Sequence, residues 1–332
     1  MRDNSAKTAI VTGGAGFIGS HMVERLLRDG LKVVVIDNYS TGRPENLARF
    51  AENPDLTVHQ ADIADTGIET WFEGASWVFH FAALAAIVPS IQNPDAYFRA
   101  NVDGTFNVVQ AARKAGVDKL LYAASSTCYG IPDIYPTPED AEIRPQYPYA
   151  LTKNLGEQIV LHWSQVYDLP AIALRMFNVY GPRICASGSY GAVFAVFLAQ
   201  KLAGQPYTVV GDGEQTRDFT FVTDVVEAFL AAAKSDISGE VMNIGSDNTY
   251  SVNYLTELLG GEVLYIPKRP GEPDCTYAEI SRIKTLLGWQ PKVSFEEGVR
   301  IMLDNIDYWR EAPVWTSESI ADVTKHWFRY LK

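Results

Sequence analysis

Residues 7–21 read Lys-Thr-Ala-Ile-Val-Thr-Gly-Gly-Ala-Gly-Phe-Ile-Gly-Ser-His. An apolar run ends at Thr12, glycines stand at 13, 16 and 19, and a helical pattern starts at Phe17 and continues to Arg28. This is the pattern of a strand, a tight turn and a helix that packs back on the strand. Gly13 permits the turn, Gly16 lets backbone approach an anionic group, and Gly19 lets helix and strand lie close. The unpaired N–H groups and the dipole at the helix start favour a phosphate there.

The same rhythm continues outward. Further β-rich runs lie at Lys32–Asp37, Leu56–Gln60, Trp77–Phe81, Lys119–Ala124 and Ala171–Phe177. Helical patterns lie between them, most clearly at Ala96–Ala115 and Tyr149–Tyr167. Apolar strands with little alternation, separated by helices, predict an α/β fold with a doubly wound parallel sheet covered on both faces. After Asn178 the elements shorten, and turn formers cluster at 211–213 and 267–273. Residues 1–178 are expected to form the sheet domain, with later strands interleaved, and 179–332 mainly a smaller lobe. The tail Thr316–Leu331 reads as one amphipathic helix whose aromatic residues serve packing.

Composition narrows the function classes. The 332 residues are 47% hydrophobic, enough for a large core, and no apolar run reaches the length of a membrane span. The opening residues lack an apolar leader core, so no secretory signal is expected. A net charge of −12 argues against nucleic acid as a partner. The three cysteines, Cys128, Cys185 and Cys275, are widely spaced and form no CxxC pair, so neither a metal site nor a disulfide framework is expected, and a cytoplasmic setting fits.

Asp37 ends the second strand, eighteen residues after Gly19. A carboxylate there accepts hydrogen bonds from ribose hydroxyls and repels a 2′-phosphate, which favours NAD over NADP. Asp62, after the third strand, falls near the adenine in the same layout, and reads equally as a helix cap. Tyr149 and Lys153 are four residues apart, on one face of a helix. A free phenol titrates at about 10, so it needs neighbouring positive charge to act as a base near neutrality. Lys153 can supply that charge or hold a nicotinamide ribose. Ser125 ends the fifth strand, where open α/β sheets place ligands, and can bridge a sugar hydroxyl to Tyr149.

Together these residues resemble the extended short-chain dehydrogenase/reductase superfamily, in its NAD-dependent nucleotide-sugar epimerase/dehydratase branch. The resemblance spans about Lys7 to Ile306. It rests on GGAGFIGSH at 13–21, HFAALAA at 80–86, NVDGTFNV at 101–108, SSTCYG at 125–130, YALTK at 149–153, RMFNVYGP at 175–182, GDGEQTRDFTFVTD at 211–224 and RPGE at 269–272. It implies a Rossmann-type sheet with a C-terminal substrate-binding lobe. It also implies a catalytic set of Ser125, Tyr149 and Lys153. Gly13, Gly16, Phe17, Ile18, Gly19, Asp37, Asn38, Asp62, Ile63, Ala82 and Asn101 would surround NAD, with Tyr149 and Lys153. Ser126, Thr127, Asn178, Val193, Arg217, Arg269 and Thr276 would face a UDP- or GDP-linked sugar, with the arginines on the diphosphate. A homodimer is implied through helices near 96–115 and 149–167.

The branches share oxidation at C4 of the sugar. Dehydratases, and the related decarboxylases, usually carry a carboxylate beside the Ser/Thr; here those places hold Ser126 and Thr127, whose hydroxyls titrate far from neutral pH. The expectation is therefore a 4-epimerase working through a transient 4-keto sugar. A 4,6-dehydratase or C4-oxidase is the second reading, and a non-catalytic NAD-binding sensor the alternative from another class. Thr276 stands where some relatives carry a bulky Tyr that excludes N-acetyl groups, so an enlarged sugar is admitted. Ala85 stands where some UDP-galactose epimerases carry a Lys, which leaves the nucleotide open. Cys128 reads as a packed thiol.

Overall fold

The structure, a computed structural model, describes residues 7–184 and 192–331; Cys185 lies outside the described residues. Six strands of the first half are β1 (Thr8–Thr12), β2 (Lys32–Asp37), β3 (Leu56–Gln60), β4 (Trp77–His80), β5 (Lys119–Ser125) and β6 (Ala171–Met176). They agree with the sequence reading to within one residue at each end. A seventh strand, Glu240–Ile244, pairs with β6 at the sheet edge, so the order is Glu240–Ile244, β6, β5, β4, β1, β2, β3. Every pairing in this sheet is parallel. This is a Rossmann-type sheet. The winding reverses between β1 and β4, and the crevice above that point collects the C-terminal ends of the strands.

Alternate residues of each strand face opposite layers. Val11, Val35, Phe79, Leu121 and Ile172 pack with helix α1 (Phe17–Arg28) and the helix Val222–Lys234 on one side. Ile10, Ile36, Val78, Leu120 and Tyr122 face the other side. There they meet Val108, Val109 and Ala112 of the helix at Gly104–Ala115, and Val160 of the helix at Pro148–Tyr167. Each such fully buried side chain is worth roughly 1.5–3 kcal/mol, against about 0–1 for an exposed ion pair, so this double layer sets the frame. A third cluster, with Phe194, Phe219, Phe295 and Trp309, fills the later lobe around three short sheets.

Two elements depart from the sequence reading. The expected helix at 96–115 is divided. After α2 (Ile87–Gln92), α3 (Pro94–Phe98) runs into a wide π-helical turn, Arg99–Asp103, before α4 (Gly104–Ala115). The Thr105 hydroxyl donates to the Asn101 carbonyl at 2.6 Å within that turn. Such π turns inside helices are frequent at functional sites, and this one carries Asn101. The expected single tail helix is also two, Ser317–Val323 and Lys325–Tyr330. Thr324 breaks it at ψ 1°, its hydroxyl turned back on the Ile320 carbonyl at 2.6 Å. No helix among the described residues is long and apolar enough to cross a membrane.

Candidate active site

Gly13 turns the chain at the end of β1 with φ +70°, and a Cβ there would stand 2.7 Å from the Ala82 nitrogen. A Cβ on Gly19 would stand 2.1 Å from the Gly13 carbonyl oxygen. The first two turns are therefore possible only with these glycines. Helix α1 starts after Gly16 with no side-chain cap, so the N–H groups of its first turn, Phe17 and Ile18 included, remain directed into the crevice. Asp37 is buried at the mouth of β2. It accepts from the Ala15 N–H at 2.9 Å and the Tyr39 N–H at 2.8 Å, one on each oxygen. Burial raises its pKa and these two bonds oppose the rise. Each oxygen keeps acceptor capacity for a hydroxyl pair.

The other cofactor candidates divide. Asn38 is exposed and accepts from Ser40 N–H at 2.9 Å. Asp62 accepts from Ala64 N–H at 2.8 Å and lies 3.6 Å from Arg99; it sits beside the mouth of β3 with Ile63 buried behind it. Asn101 is fully buried, and both N–H groups of its amide are engaged within the protein. It donates to the Leu84 carbonyl and Thr152 hydroxyl at 3.0 Å each and accepts from Leu84 N–H at 2.8 Å. It braces the loop after β4, and its Oδ1 keeps one lone pair for a further donor. Below it, Thr12, His80 and Thr105 form a buried chain at 2.7 and 3.0 Å, ending on the Asn101 carbonyl. Burial, helped by Lys153, pushes His80 down to about 3, so it is neutral. The Thr12 hydroxyl also takes the Ala82 N–H at 3.3 Å.

Helix α5 (Pro148–Tyr167) begins with Pro at its first position, where a missing N–H costs nothing. It carries Tyr149 and Lys153 one turn apart. The Tyr149 hydroxyl donates to Ser125 Oγ at 3.4 Å. Ser125 Oγ also accepts Thr127 N–H at 3.3 Å and lies 2.9 Å from the Thr127 hydroxyl. Lys153 is buried, its Nζ 4.3 Å from the centre of the Tyr122 ring. Burial lowers its pKa to about 7, while the Glu157 carboxylate pulls the other way. Burial raises the Tyr149 phenol above its ordinary value, and the Ser125 bond only partly offsets that. The depressed phenol expected from the Tyr/Lys spacing is thus not a property of the ligand-free chain.

Most of the remaining candidates lie on the elements that follow β6. The Asn178 amide, past the end of β6, donates to the Thr276 hydroxyl at 2.7 Å. Arg217 and Thr276 sit on adjacent short parallel strands. Arg217 Nη2 donates to Glu272 at 3.1 Å, and Arg269 lies 3.7 Å from the same carboxylate. One acidic group therefore joins both arginines. Val193 opens the helix Val193–Leu202, half-buried at the lobe's edge. Ser126 lies beside Ser125 in the short turn after β5. Cys128 is buried and its thiol is pushed up to about 12, so it packs and does not react at neutral pH.

Comparison with known proteins decides the family. Residues 9–245 match the NAD dependent epimerase/dehydratase family. The chain belongs to that family. It is 39% identical to the UDP-glucose 4-epimerase of Mycolicibacterium smegmatis, over 87% of this chain and 95% of the other. Among solved structures it is similar to the UDP-N-acetylglucosamine 4-epimerase of Methanobrevibacter ruminantium M1 in complex with UDP-N-acetylmuramic acid. That match has 33% identity, TM-score 0.87, and covers 91% of this chain and 98% of that one. It is also similar to the UDP-glucuronic acid 4-epimerase of Bacillus cereus in complex with UDP-glucuronic acid and NAD, with 31% identity, TM-score 0.85, and coverage of 90% and 99%. As a member of this NAD-dependent epimerase/dehydratase family, the protein is an enzyme.

The sequence reading did not single out three residues that the fold brings here. Tyr147 stacks parallel to Tyr149, ring centres 6.5 Å apart. Glu272 lies between the two arginines. Trp327 reaches the site from the tail. Tyr147 was findable as a second aromatic two residues before Tyr149, and Glu272 closes the RPGE run. For Trp327 no local signal exists.

Proposed function

We propose that the protein is an NAD-dependent 4-epimerase of UDP-linked sugars, cytoplasmic and homodimeric. The observation that carries this reading is the Tyr149 hydroxyl 3.4 Å from Ser125 Oγ, with Lys153 one turn along the same helix, at the C-terminal ends of the strands. The glycine turn and uncapped helix start fit a pyrophosphate, and Asp37 fits the adenosine ribose. Asn38, Asp62 and Ile63 fit around the adenine, Ala82 along the crevice, and Lys153 the nicotinamide ribose. When bound, NAD would supply the hydride acceptor and donor for C4, and its oxidised ring would add the positive charge that favours a phenolate.

Tyr149 takes the proton of the sugar 4-OH, and Ser125 holds that hydroxyl in line. After the 4-keto sugar has turned over in the pocket, Tyr149 returns the proton to its C4 oxygen, which gives the 4-epimer. Ser126 and Thr127 supply no carboxylate for elimination or decarboxylation. The Thr127 hydroxyl is moreover engaged with Ser125. Arg217 and Arg269 hold the diphosphate, to which guanidinium groups are matched. UDP is favoured by the relatives named above. Thr276, short and tied to Asn178, leaves room for an N-acetylated or otherwise enlarged sugar. Residues 1–178 mainly carry the cofactor and 179–332 the substrate. Phe106, Leu151, Val166 and Tyr167 are exposed on α4 and α5, which supports pairing of two copies through those helices.

The test is a panel of UDP- and GDP-sugars with products resolved by NMR. The expected result is interconversion of a UDP-sugar with its 4-epimer without release of NADH. A stable 4-keto-6-deoxy product, or NADH accumulating on the protein, would replace this reading with the dehydratase or the oxidase.

A further inference from the structure

The tail helices Ser317–Val323 and Lys325–Tyr330 lie far beyond residue 245, where the family match ends. Their composition names no chemistry, yet they dock against the candidate site. Trp327 is 3% exposed. Its indole N–H donates to the Pro270 carbonyl at 2.7 Å. The Arg269 guanidinium carbon lies 5.6 Å from the centre of the indole ring. The Tyr147 ring lies 6.2 Å away on the side of the site and stacks in turn on Tyr149. Upstream, the Gln92 amide of α2 donates to the Val323 carbonyl at 3.3 Å, which ties the tail to the segment after β4. Trp327 therefore touches the Arg269–Pro270 turn on one side and the aromatic pair that ends on the catalytic phenol on the other.

A tryptophan placed so acts on Arg269 in two ways. The hydrogen bond to Pro270 fixes the backbone from which the arginine stem springs, in a turn-rich stretch with no helix or strand of its own between Ile266 and Cys275. The indole face attracts the guanidinium and limits its rotamers. An anchor held in its binding geometry loses less entropy when it takes a phosphate, and so binds more tightly.

We infer that Trp327 is a positioning residue for the substrate diphosphate: the tail completes the nucleotide site by holding Arg269. The inference rests on the reading of Arg269 as a diphosphate ligand, and not on which sugar is turned over.

A double-mutant cycle in UDP affinity, measured by calorimetry on the full-length protein as purified, tests it. Trp327→Ala should weaken UDP about tenfold, and Arg269→Ala by more. The double variant should bind no worse than Arg269→Ala alone, because Trp327 acts through Arg269. Trp327→Phe, which keeps a ring, should recover to within about threefold of wild type. In steady state KM should rise with the loss of UDP affinity while kcat changes less than about threefold, and bound NAD should be unchanged. Additive single effects would overturn the inference. So would a Trp327→Ala protein that melts lower but binds UDP as wild type does. Should the alanine variant not fold, Trp327→Leu takes its place in the same cycle. A wild type that binds UDP but converts no UDP-sugar sinks the epimerase reading and leaves the cycle decisive. An Arg269→Ala variant that binds UDP normally sinks the inference alone.

Discussion

Glu157 and Arg175 form a two-point ion pair between α5 and β6: Arg175 Nε donates to Oε2 at 2.9 Å and Nη2 to Oε1 at 2.6 Å, with both side chains nearly sealed from water. Arg175 Nη1 donates further to the Tyr129 hydroxyl at 2.8 Å and the Glu139 carbonyl at 2.9 Å, and Tyr129 donates to Asn243 at 2.7 Å. One guanidinium thus joins α5, the segment after Ser125 and the edge strand. Glu157 lies one turn past Lys153 and its charge holds the ammonium up against burial.

From this follows the first prediction. Removing one member of a buried pair strands the other, at about 3–5 kcal/mol. Glu157→Gln keeps shape and some hydrogen bonding, so it should lie at the low end, about 3 kcal/mol by urea denaturation. A surface pair such as Lys325–Asp322, tested by Lys325→Ala, should change stability by less than about 1 kcal/mol. Equal effects at the two sites would show that Arg175 is not the tie described.

Lys153 is held at about 7 against an ordinary value of 10.5. Between those two values the unfolded chain binds more protons than the folded one, so the stability of the ligand-free protein should rise with pH across that window. Below about 7 the penalty is fully present. Lys153→Met removes the titrating group. The variant should melt higher than wild type at neutral pH, lose the rise with pH, and lose at least about a hundredfold in conversion. Calorimetry of both proteins across the window checks this, and parallel pH curves would refute the buried ammonium as the source.

Much of this was legible because the deciding signals are local. Asp37 ends the second strand, the glycines punctuate the first turn, and Tyr149 and Lys153 share one helix face; each is a short-range pattern with one geometric solution. The misreadings have a common physical origin. Asn101 and Thr324 sit in runs of helical periodicity, and long-range or side-chain bonds open the helix at both places, which periodicity cannot register. The Tyr149 phenol is raised by its own burial, a packing quantity that spacing does not register. Trp327 meets Arg269 only through the assembled lobe, with no pattern between them.

Gly13 offers a third prediction because a control exists within the same chain. Gly13 and Gly30 have φ of +70° and +77°, but a Cβ at Gly30 meets nothing within 4 Å, while one at Gly13 meets Ala82 at 2.7 Å. Gly30→Ala should cost about 1 kcal/mol, the backbone term alone. Gly13→Ala adds a clash with backbone that cannot yield without moving the β4 loop. It should cost at least about 2–3 kcal/mol and release NAD during purification. Unfolding curves and the absorbance of bound nucleotide separate the two effects. If both variants retain NAD equally, the tight approach of the first turn to Ala82 is not what shapes the cofactor site.

Tyr149→Phe separates chemistry from binding. The hydroxyl makes one long bond, 3.4 Å to Ser125, and burial disfavours its ionised form, so its removal should leave the melting temperature unchanged or slightly raised. A group that takes and returns the substrate proton contributes about 10²–10⁴ in rate. The variant should therefore lose at least about a hundredfold in kcat with UDP affinity and bound NAD unaltered. Ser125→Ala is the comparison. That serine also accepts the Thr127 N–H, so its loss should reduce both stability and rate, and the rate by less than the phenol does. Retained conversion in Tyr149→Phe would remove the proton-transfer role from residue 149. Retained kcat with raised KM would recast the residue as a binding group.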